Sequence, residues 1–183
     1  MQLIGQLIHL RALEPTDVNL LYRWENDSSV WSVSGTLVPF SRFILDEFVT
    51  QAHQAIYTTK QLRLMIDIRY EDADGEPSFE TNCIGCVDLF DFDPKNKRAG
   101  IGILIADKAD RGKGYATEAL RLIVDYGFDM LDLHQIYSTV RVDNESSVAL
   151  FKKLGFEVSG LKLDWIFDHG KYHDEYTMQL IRK

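Results

Sequence analysis

Ile101-Gly102-Ile103-Leu104-Ile105, followed six residues on by Arg111-Gly112-Lys113-Gly114-Tyr115-Ala116, is the stretch that decides the fold. The first run is apolar and predicts a strand, and the glycine-rich run predicts a loop. A helix is expected over residues 112–131, because apolar residues recur there at helical spacing: Ala116, Leu120, Val124 and Phe128. The order strand, glycine loop, helix places the loop at a helix N-terminus.

The chemistry of this loop favours a bound phosphate. Gly112 and Gly114 let backbone N–H groups approach a ligand without a Cβ in the way. The first turn of a helix has unpaired N–H groups and a partial positive charge, which attract anions. Arg111 and Lys113 add formal charge in an otherwise acidic chain. The loop therefore predicts a pyrophosphate site, although the glycines could equally serve only to shape the turn.

Two other phosphate motifs do not match the spacing. A P-loop requires Ser or Thr directly after Gly-Lys, and here Gly114 follows Lys113. A dinucleotide fingerprint that began at Gly100 and Gly102 would need a third glycine near position 105, which is Ile105.

The rest of the chain predicts one mixed α/β domain over residues 1–183. Strands are expected at residues 7–13, 62–70, 83–92, 99–106, 134–142, 158–167 and 172–181. Helices are expected at residues 15–26, 41–56, 112–131 and 145–154, with a loop at 27–40 and a solvated hairpin tip at 71–77. The element order is thus β-α-α-β-β-β-α-β-α-β-β.

Composition and charge limit the function. Hydrophobic residues make up 45% of the chain and charged residues 26%, as in ordinary globular proteins. No apolar run reaches the roughly 20 residues that cross a bilayer, and no secretion signal is visible, so we expect no membrane partner and a cytoplasmic location. The net charge of -8 argues against nucleic-acid binding. It is compatible with a cationic substrate, but it is also a common charge for solubility.

Cys83 and Cys86 have the C-x-x-C spacing of some redox and zinc sites. They lie within an apolar run that predicts a strand, whereas the redox motif begins a helix, and no second pair completes a zinc site. We expect two core thiols and no metal.

Two sequence blocks resemble the GNAT acetyltransferases over about residues 7–182. Arg111, Gly114 and Ala116 match the Arg-x-x-Gly-x-Ala coenzyme A signature of that family. Residues 144–156 resemble the short helix beside the pantetheine arm. The run 125–128 with Leu133-His134 is similar to the branch of spermidine and ribosomal-protein N-terminal acetyltransferases. The resemblance implies a GNAT fold, with a mixed, mostly antiparallel central sheet flanked by helices.

The resemblance also implies a function and a set of cofactor contacts. Acetyl-CoA would donate its acetyl group directly to a primary amine, either a small polyamine-like amine or a peptide N-terminus, with no metal, and a homo-oligomer is among the expected partners. The loop Arg111, Gly112, Lys113, Gly114, Tyr115 and Ala116 would hold the phosphates. Backbone N–H groups of Ile103, Leu104 and Ile105 would polarise the thioester carbonyl. Asn144, Phe151 and Lys153 would lie along the cofactor arm, and Asn144 also suits a helix cap.

Carboxylates in an apolar strand are candidates for the acceptor side. Asp88 would be the base that deprotonates the ammonium or, equally, only an exposed strand residue, and Asp91 a substrate contact or a solvated strand end. Further substrate contacts are expected from Trp24, Glu25, Trp31 and Tyr172, with a core role as the alternative for Trp24. Residues 31–40 contain no acid, unlike the glutamate-rich loop of the spermidine enzymes, which argues against a polyamine.

The chain also differs from the family in the residue that would protonate the leaving thiolate. Many members have Tyr where this chain has Phe151, and Phe has no proton to donate. Tyr137 is taken as the replacement, with His134, Tyr172 and His173 as unranked alternatives. A non-catalytic acyl-CoA-binding sensor or complex subunit remains the rival function.

Overall fold

The computed structural model describes residues 3–71, 77–78 and 82–183, so most of the predicted hairpin tip at 71–77 lies outside the described residues. The helices are α1 (Val18–Glu25), α2 (Ser28–Ser34), α3 (Arg42–Gln51), α4 (Ile56–Thr59), α5 (Tyr115–Asp129) and α6 (Glu145–Lys153). The strands are β1 (Ile8–Arg11), β2 (Leu62–Ile68), β3 (Tyr70–Glu71), β4 (Pro77–Ser78), β5 (Cys83–Asp93), β6 (Arg98–Ile105), β7 (Gln135–Arg141), β8 (Glu157–Asp168) and β9 (Lys171–Ile181).

The main sheet has seven strands in the order β1-β2-β5-β6-β7-β9-β8. Every neighbouring pair is antiparallel except β6 and β7, which are parallel. The short ribbon of β3 and β4 continues the hairpin of β2 and β5. The prediction of a mixed, mostly antiparallel sheet flanked by helices is confirmed.

Helices cover both faces of the sheet. Successive residues of a strand point to opposite faces, so each face has apolar side chains that a helix can bury. Val87 and Leu89 of β5 belong to the larger core, which α5 and α6 cover. Cys86 belongs to a smaller core beneath α1 and α3, together with Met65 and Trp24. We call the first the cofactor face and the second the acceptor face, after the roles that the sequence analysis predicts for their residues. No helix in the described part of the chain is long and apolar enough to cross a membrane.

Beyond their first residues, β6 and β7 separate. Their register covers only Arg98, Ala99 and Gly100, opposite Gln135–Tyr137. The next carbonyl, that of Ile101, accepts a hydrogen bond from the Ser138 hydroxyl at 3.0 Å instead of a strand partner. An opening between the two strands follows from Ile101 to the end of β6, directly ahead of the glycine loop.

Three local predictions were wrong. Residues 27–40 are not all loop, because α2 forms between an Asp27 cap, whose side chain accepts from the Ser29 amide, and a left-handed Gly35. The helix capped by Ser41 ends at Gln51 rather than at residue 56. Helix α5 begins at Tyr115 rather than Gly112, since φ of the two loop glycines is positive.

Candidate active site

The glycine loop is held in a conformation that side chains resist. The φ angles of Gly112 and Gly114 are +78° and +94°, in the left-handed region that favours glycine. A Cβ at Gly112 would meet nothing within 4 Å, whereas a Cβ at Gly114 would lie 3.3 Å from Leu7 Cδ1. The loop therefore has open space at Gly112, and Gly114 is required by the backbone and by its packing.

The first turn of α5 presents amide groups to this space. The first helical hydrogen bond runs from the Glu118 amide to the Gly114 carbonyl at 3.1 Å, so the amides of residues 115–117 precede it. Glu118 fixes this turn against the start of β1, because its carboxylate accepts from the amides of Gln6, Leu7 and Ile8 at 2.8–2.9 Å. The arrangement is a rigid set of donors that suits an anion.

The two basic side chains of the loop both have partners within the chain. Arg111 folds back and donates from Nε and Nη2 to the Ile105 carbonyl at 3.1 and 3.0 Å, which closes the end of β6. Lys113 is half-exposed and pairs with Asp110 at 3.0 Å, and this pairing raises its pKa. Backbone amides, rather than free cations, thus dominate the loop.

Residues 103–105 and Asn144 stand at the same end of the sheet, where β6 and β7 have separated. Ile103 and Leu104 pair with β5 only, so this stretch of β6 has no strand partner on its β7 side. Asn144 caps α6, since its Oδ1 accepts from the Ser147 amide at 3.2 Å. Its amide nitrogen has no partner among the described residues and remains a donor.

Phe151 and Lys153 lie on α6 in two different environments. Phe151 is 4% exposed and packs edge-to-face on Phe156 at 5.1 Å between ring centres. Lys153, in the last turn, lines a separate cleft of ≈310 Å³ with Arg121 and Leu180. That cleft is at the C-terminal end of α6, whereas Asn144 is at its N-terminal end.

On the acceptor face, Asp88 is joined to a residue that the sequence prediction missed. Arg63 lies opposite Asp88 in the pairing of β2 with β5. It donates from Nε and Nη2 to the two carboxylate oxygens of Asp88 at 2.7 and 3.1 Å, and from Nη1 to Glu25 at 2.7 Å. Burial lowers the pKa of Arg63, but the two carboxylates outweigh it and hold that pKa well above its ordinary value. The sequence feature that could have identified this residue is an arginine within an apolar strand.

A cleft of ≈390 Å³ lies between α1, α2 and the end of β6. It is lined by Arg23, Trp24, Asp27, Ser29, Val30, Leu104, Ala106, Asp107, Lys108 and Arg111. Trp24 is buried in the smaller core, which was its alternative role, and it also borders this cleft. Trp31 is half-buried and donates from Nε1 to the Glu25 carbonyl at 2.8 Å. Tyr172 lies elsewhere, on the exposed hairpin of β8 and β9, with its ring tilted against that of Phe167 at 5.0 Å between ring centres.

Tyr137 and Asp91 form a pair on the acceptor face beside Gly100. The Tyr137 hydroxyl donates to Asp91 Oδ2 at 3.0 Å. Burial and this carboxylate raise the pKa of Tyr137 to about 12, so its proton is held tightly. Asp91 is exposed and has a φ of +50° at a bulge of β5, which turns it toward Tyr137.

The two cysteines are free thiols. Burial raises the pKa of Cys83 and of Cys86 to about 12, so neither is a reactive thiolate at neutral pH. In the described ranges, no group of three or more His, Cys, Asp or Glu is placed to hold a metal ion.

Comparisons with known proteins agree on one family. The family model described as an acetyltransferase (GNAT) domain matches residues 8–157. A curated relative, spermidine N(1)-acetyltransferase of Vibrio cholerae, is 30% identical and spans 94% of this chain and 92% of its own length. The crystal structure of the V. cholerae spermidine N-acetyltransferase with CoA and spermine superposes with a TM-score of 0.82 at 26% identity, over 97% of this chain and 96% of that one. A dodecameric structure of the V. cholerae enzyme gives 0.74 at 28% identity, over 97% and 95%.

Proposed function

The chain belongs to the GNAT acetyltransferases and is an acetyl-CoA-dependent N-acetyltransferase; on that premise we propose that its acceptor is the primary amine of a small molecule. The observation that carries the proposal is the opening between β6 and β7. The glycine loop lies at the end of this opening, and the carboxylates of Asp88 and Glu25 lie on the acceptor face. A thioester placed in the opening would be reached by an amine from the acceptor face.

The residues present fit the cofactor. Open space at Gly112 and the amides of residues 115–117 suit its phosphates, and the free donor of Asn144 suits its amide-bearing arm. Amide groups on the β7 side of residues 103–105 would hydrogen-bond the carbonyl oxygen as it gains negative charge. Acetyl-CoA itself supplies the activated acetyl group.

The acceptor must reach the thioester as a neutral amine. An alkyl ammonium has a pKa near 10, so it is mostly protonated at neutral pH and must lose a proton before it attacks. Asp88 is the proposed acceptor of that proton, directly or through a water molecule. The nitrogen lone pair then forms the C–N bond, the C–S bond breaks, and coenzyme A leaves as a thiolate. The new amide nitrogen loses a second proton, the thiolate takes up one, and one proton for each acetyl group is released to solvent.

An acceptor screen tests this proposal. The purified protein is incubated with acetyl-CoA and a panel that contains n-hexylamine, spermidine and a short peptide with a free N-terminus. Release of free thiol and a product heavier by one acetyl group are expected with at least one small amine. Turnover of the peptide alone would contradict the small-amine acceptor. Binding of acetyl-CoA without turnover of any amine would support the rival function, a non-catalytic acyl-CoA-binding sensor or complex subunit, which the comparisons do not favour.

Self-association is part of the proposal. The hairpin of β8 and β9 exposes large apolar side chains, namely Leu161, Leu163, Trp165, Phe167 and Tyr172. Exposed apolar patches of this kind mark interaction surfaces, and a related V. cholerae enzyme is dodecameric. Light scattering coupled to size exclusion should give a mass above that of one chain, and Trp165→Ser should reduce it. A monomer at micromolar concentration would contradict this part.

A further inference from the structure

The start of the chain folds into a tight hook, residues 3–8, that reaches the first turn of α5. Its two arms are joined by a bond from the Gly5 amide to the Ile8 carbonyl at 2.8 Å. At its tip, the three amides of residues 6–8 donate to the Glu118 carboxylate at 2.8–2.9 Å. Consecutive amides that converge in this way form an anion-binding concavity, and here a carboxylate of the chain itself fills it.

The hook also supports the glycine loop. Leu7 packs against Gly114, with its Cδ1 3.3 Å from the position that a Cβ of Gly114 would take. On the other side, Arg69 donates from its backbone amide to the Leu7 carbonyl at 2.9 Å and from Nη1 to the Gly5 carbonyl at 3.0 Å. The glycine loop therefore rests on a segment that is itself held by the residue after β2.

This support leaves the donors of α5 available. The N-cap of α5 is Gly114, which has no side chain to bond the first amides of the helix. The amides of residues 115–117 precede the first helical hydrogen bond and suit a phosphate. A first turn without a side-chain cap is less stable, however. Glu118 lies in that turn and fastens it to the hook without using any of those amides.

We propose that Glu118 is a positioning residue for the cofactor phosphates, because it holds the first turn of α5 and, through Leu7, the glycine loop. The proposal rests on the phosphate site of the proposed function and adds to it a residue that acts through the backbone. The electrostatic effect of Glu118 has the opposite sign, since a carboxylate one turn into the helix repels a phosphate at its N-terminus. Loss of the charge alone would tighten cofactor binding, whereas loss of the support would weaken it.

A truncated thioester separates this role from general stability. S-acetyl-N-acetylcysteamine has the acetyl thioester of acetyl-CoA but no phosphates. The experiment measures kcat/KM for both thioesters with the best amine acceptor, and compares the ratio of acetyl-CoA to the truncated thioester. The wild-type ratio should exceed about one hundred, as expected for two charge-assisted hydrogen bonds to phosphate. In Glu118→Gln it should fall at least about fivefold, because the NH2 group of Gln cannot accept a hydrogen bond.

Asp17 offers a matched control on the acceptor face. This carboxylate is the N-cap residue of α1 and also accepts three hydrogen bonds, two from Arg11 at 2.6 and 2.9 Å and one from the Glu14 amide at 2.8 Å. Asp17→Asn should lower Tm, as Glu118→Gln does. It should leave the ratio of the two thioesters near the wild-type value, since the acceptor is the same in both reactions.

A second variant keeps the test decisive if Glu118→Gln does not fold. Leu7→Ala keeps the backbone bonds to Glu118 and removes the contact with Gly114, at a side chain that is 43% exposed. Its ratio should fall at least about threefold, because small displacements of binding groups are costly. Titration calorimetry with coenzyme A should rank the four proteins in the same order without turnover.

An unchanged or raised ratio in folded Glu118→Gln, or in Leu7→Ala where it stands in for that variant, overturns the proposal. An equal fall in Asp17→Asn overturns it as well. A wild type that uses both thioesters equally well contradicts the phosphate site itself, and this proposal with it. Unchanged ratios in the variants leave that site intact and remove only the role of Glu118.

Discussion

Gly112 and Gly170 form a matched pair for testing the cofactor loop. Their φ angles are +78° and +79°, and a Cβ at either position would meet nothing within 4 Å. Gly112 lies in the loop before α5, and Gly170 lies in the turn between β8 and β9. Alanine in the left-handed region costs about 1–2 kcal/mol at either site. For a domain of this size, that strain lowers Tm by roughly 2–8 °C.

Only the methyl group of Gly112→Ala would occupy the space that we propose for the cofactor phosphates. We expect its affinity for acetyl-CoA to fall at least about tenfold, which is about 1.4 kcal/mol, while Gly170→Ala binds like the wild type. Titration calorimetry gives the affinities and scanning calorimetry the two Tm values. Undiminished affinity in Gly112→Ala, or the same loss in both variants, would refute the assignment of the loop.

Three further predictions concern single side chains. Asp88→Asn should lower kcat/KM by roughly ten- to a thousandfold for the best acceptor. A wild-type rate in the thiol-release assay would mean that Asp88 serves only as the ion-pair partner of Arg63. Tyr137→Phe should leave kcat and its pH profile unchanged up to about pH 9, because the pKa of Tyr137 is raised to about 12 by burial and by Asp91. A fall in kcat of more than about tenfold would instead identify Tyr137 as a proton donor. Glu118→Gln should lower the free energy of unfolding by about 1–3 kcal/mol, because one amide oxygen replaces a carboxylate that accepts three backbone bonds; an unchanged urea midpoint contradicts this.

The parts of the structure that sequence could predict are local. Strand β6, the glycine loop and α5 are contiguous, and each has its own pattern, so their order and approximate bounds followed from the residues. The cap of α6 at Asn144 was predictable for the same reason. Helix α2 was missed because it is only seven residues long and has no apolar period. The residues that could have indicated this helix are the ones at its two ends, the N-cap Asp27 and the left-handed Gly35.

The pairings across the sheet could not be predicted. Arg63 and Asp88 are 25 residues apart, and Asp91 and Tyr137 are 46 apart. Each contact depends on the register of two strands, and a shift of one residue would turn a side chain to the other face. The bulge in β5 adds to this, because it turns Asp91 toward Tyr137. Candidate residues could therefore be named from the sequence, but not their partners or their ionisation.

The proton balance of the reaction shows why the position of Phe151 need not disable the enzyme. Phe151 is packed in the core and has no proton to give, and the proton of Tyr137 is held by Asp91. A free thiol has a pKa near 8.5, so coenzyme A can depart as a thiolate without a strong acid. The ammonium of the acceptor loses two protons for each acetyl group transferred, one before the attack and one from the new amide nitrogen, and the thiolate takes up one of them. A carboxylate or water on the acceptor face that receives the first proton can pass it to solvent, and the second proton, from the amide nitrogen, can reach the departing thiolate. The roles proposed for Asp88 and the β6–β7 opening therefore need no dedicated tyrosine.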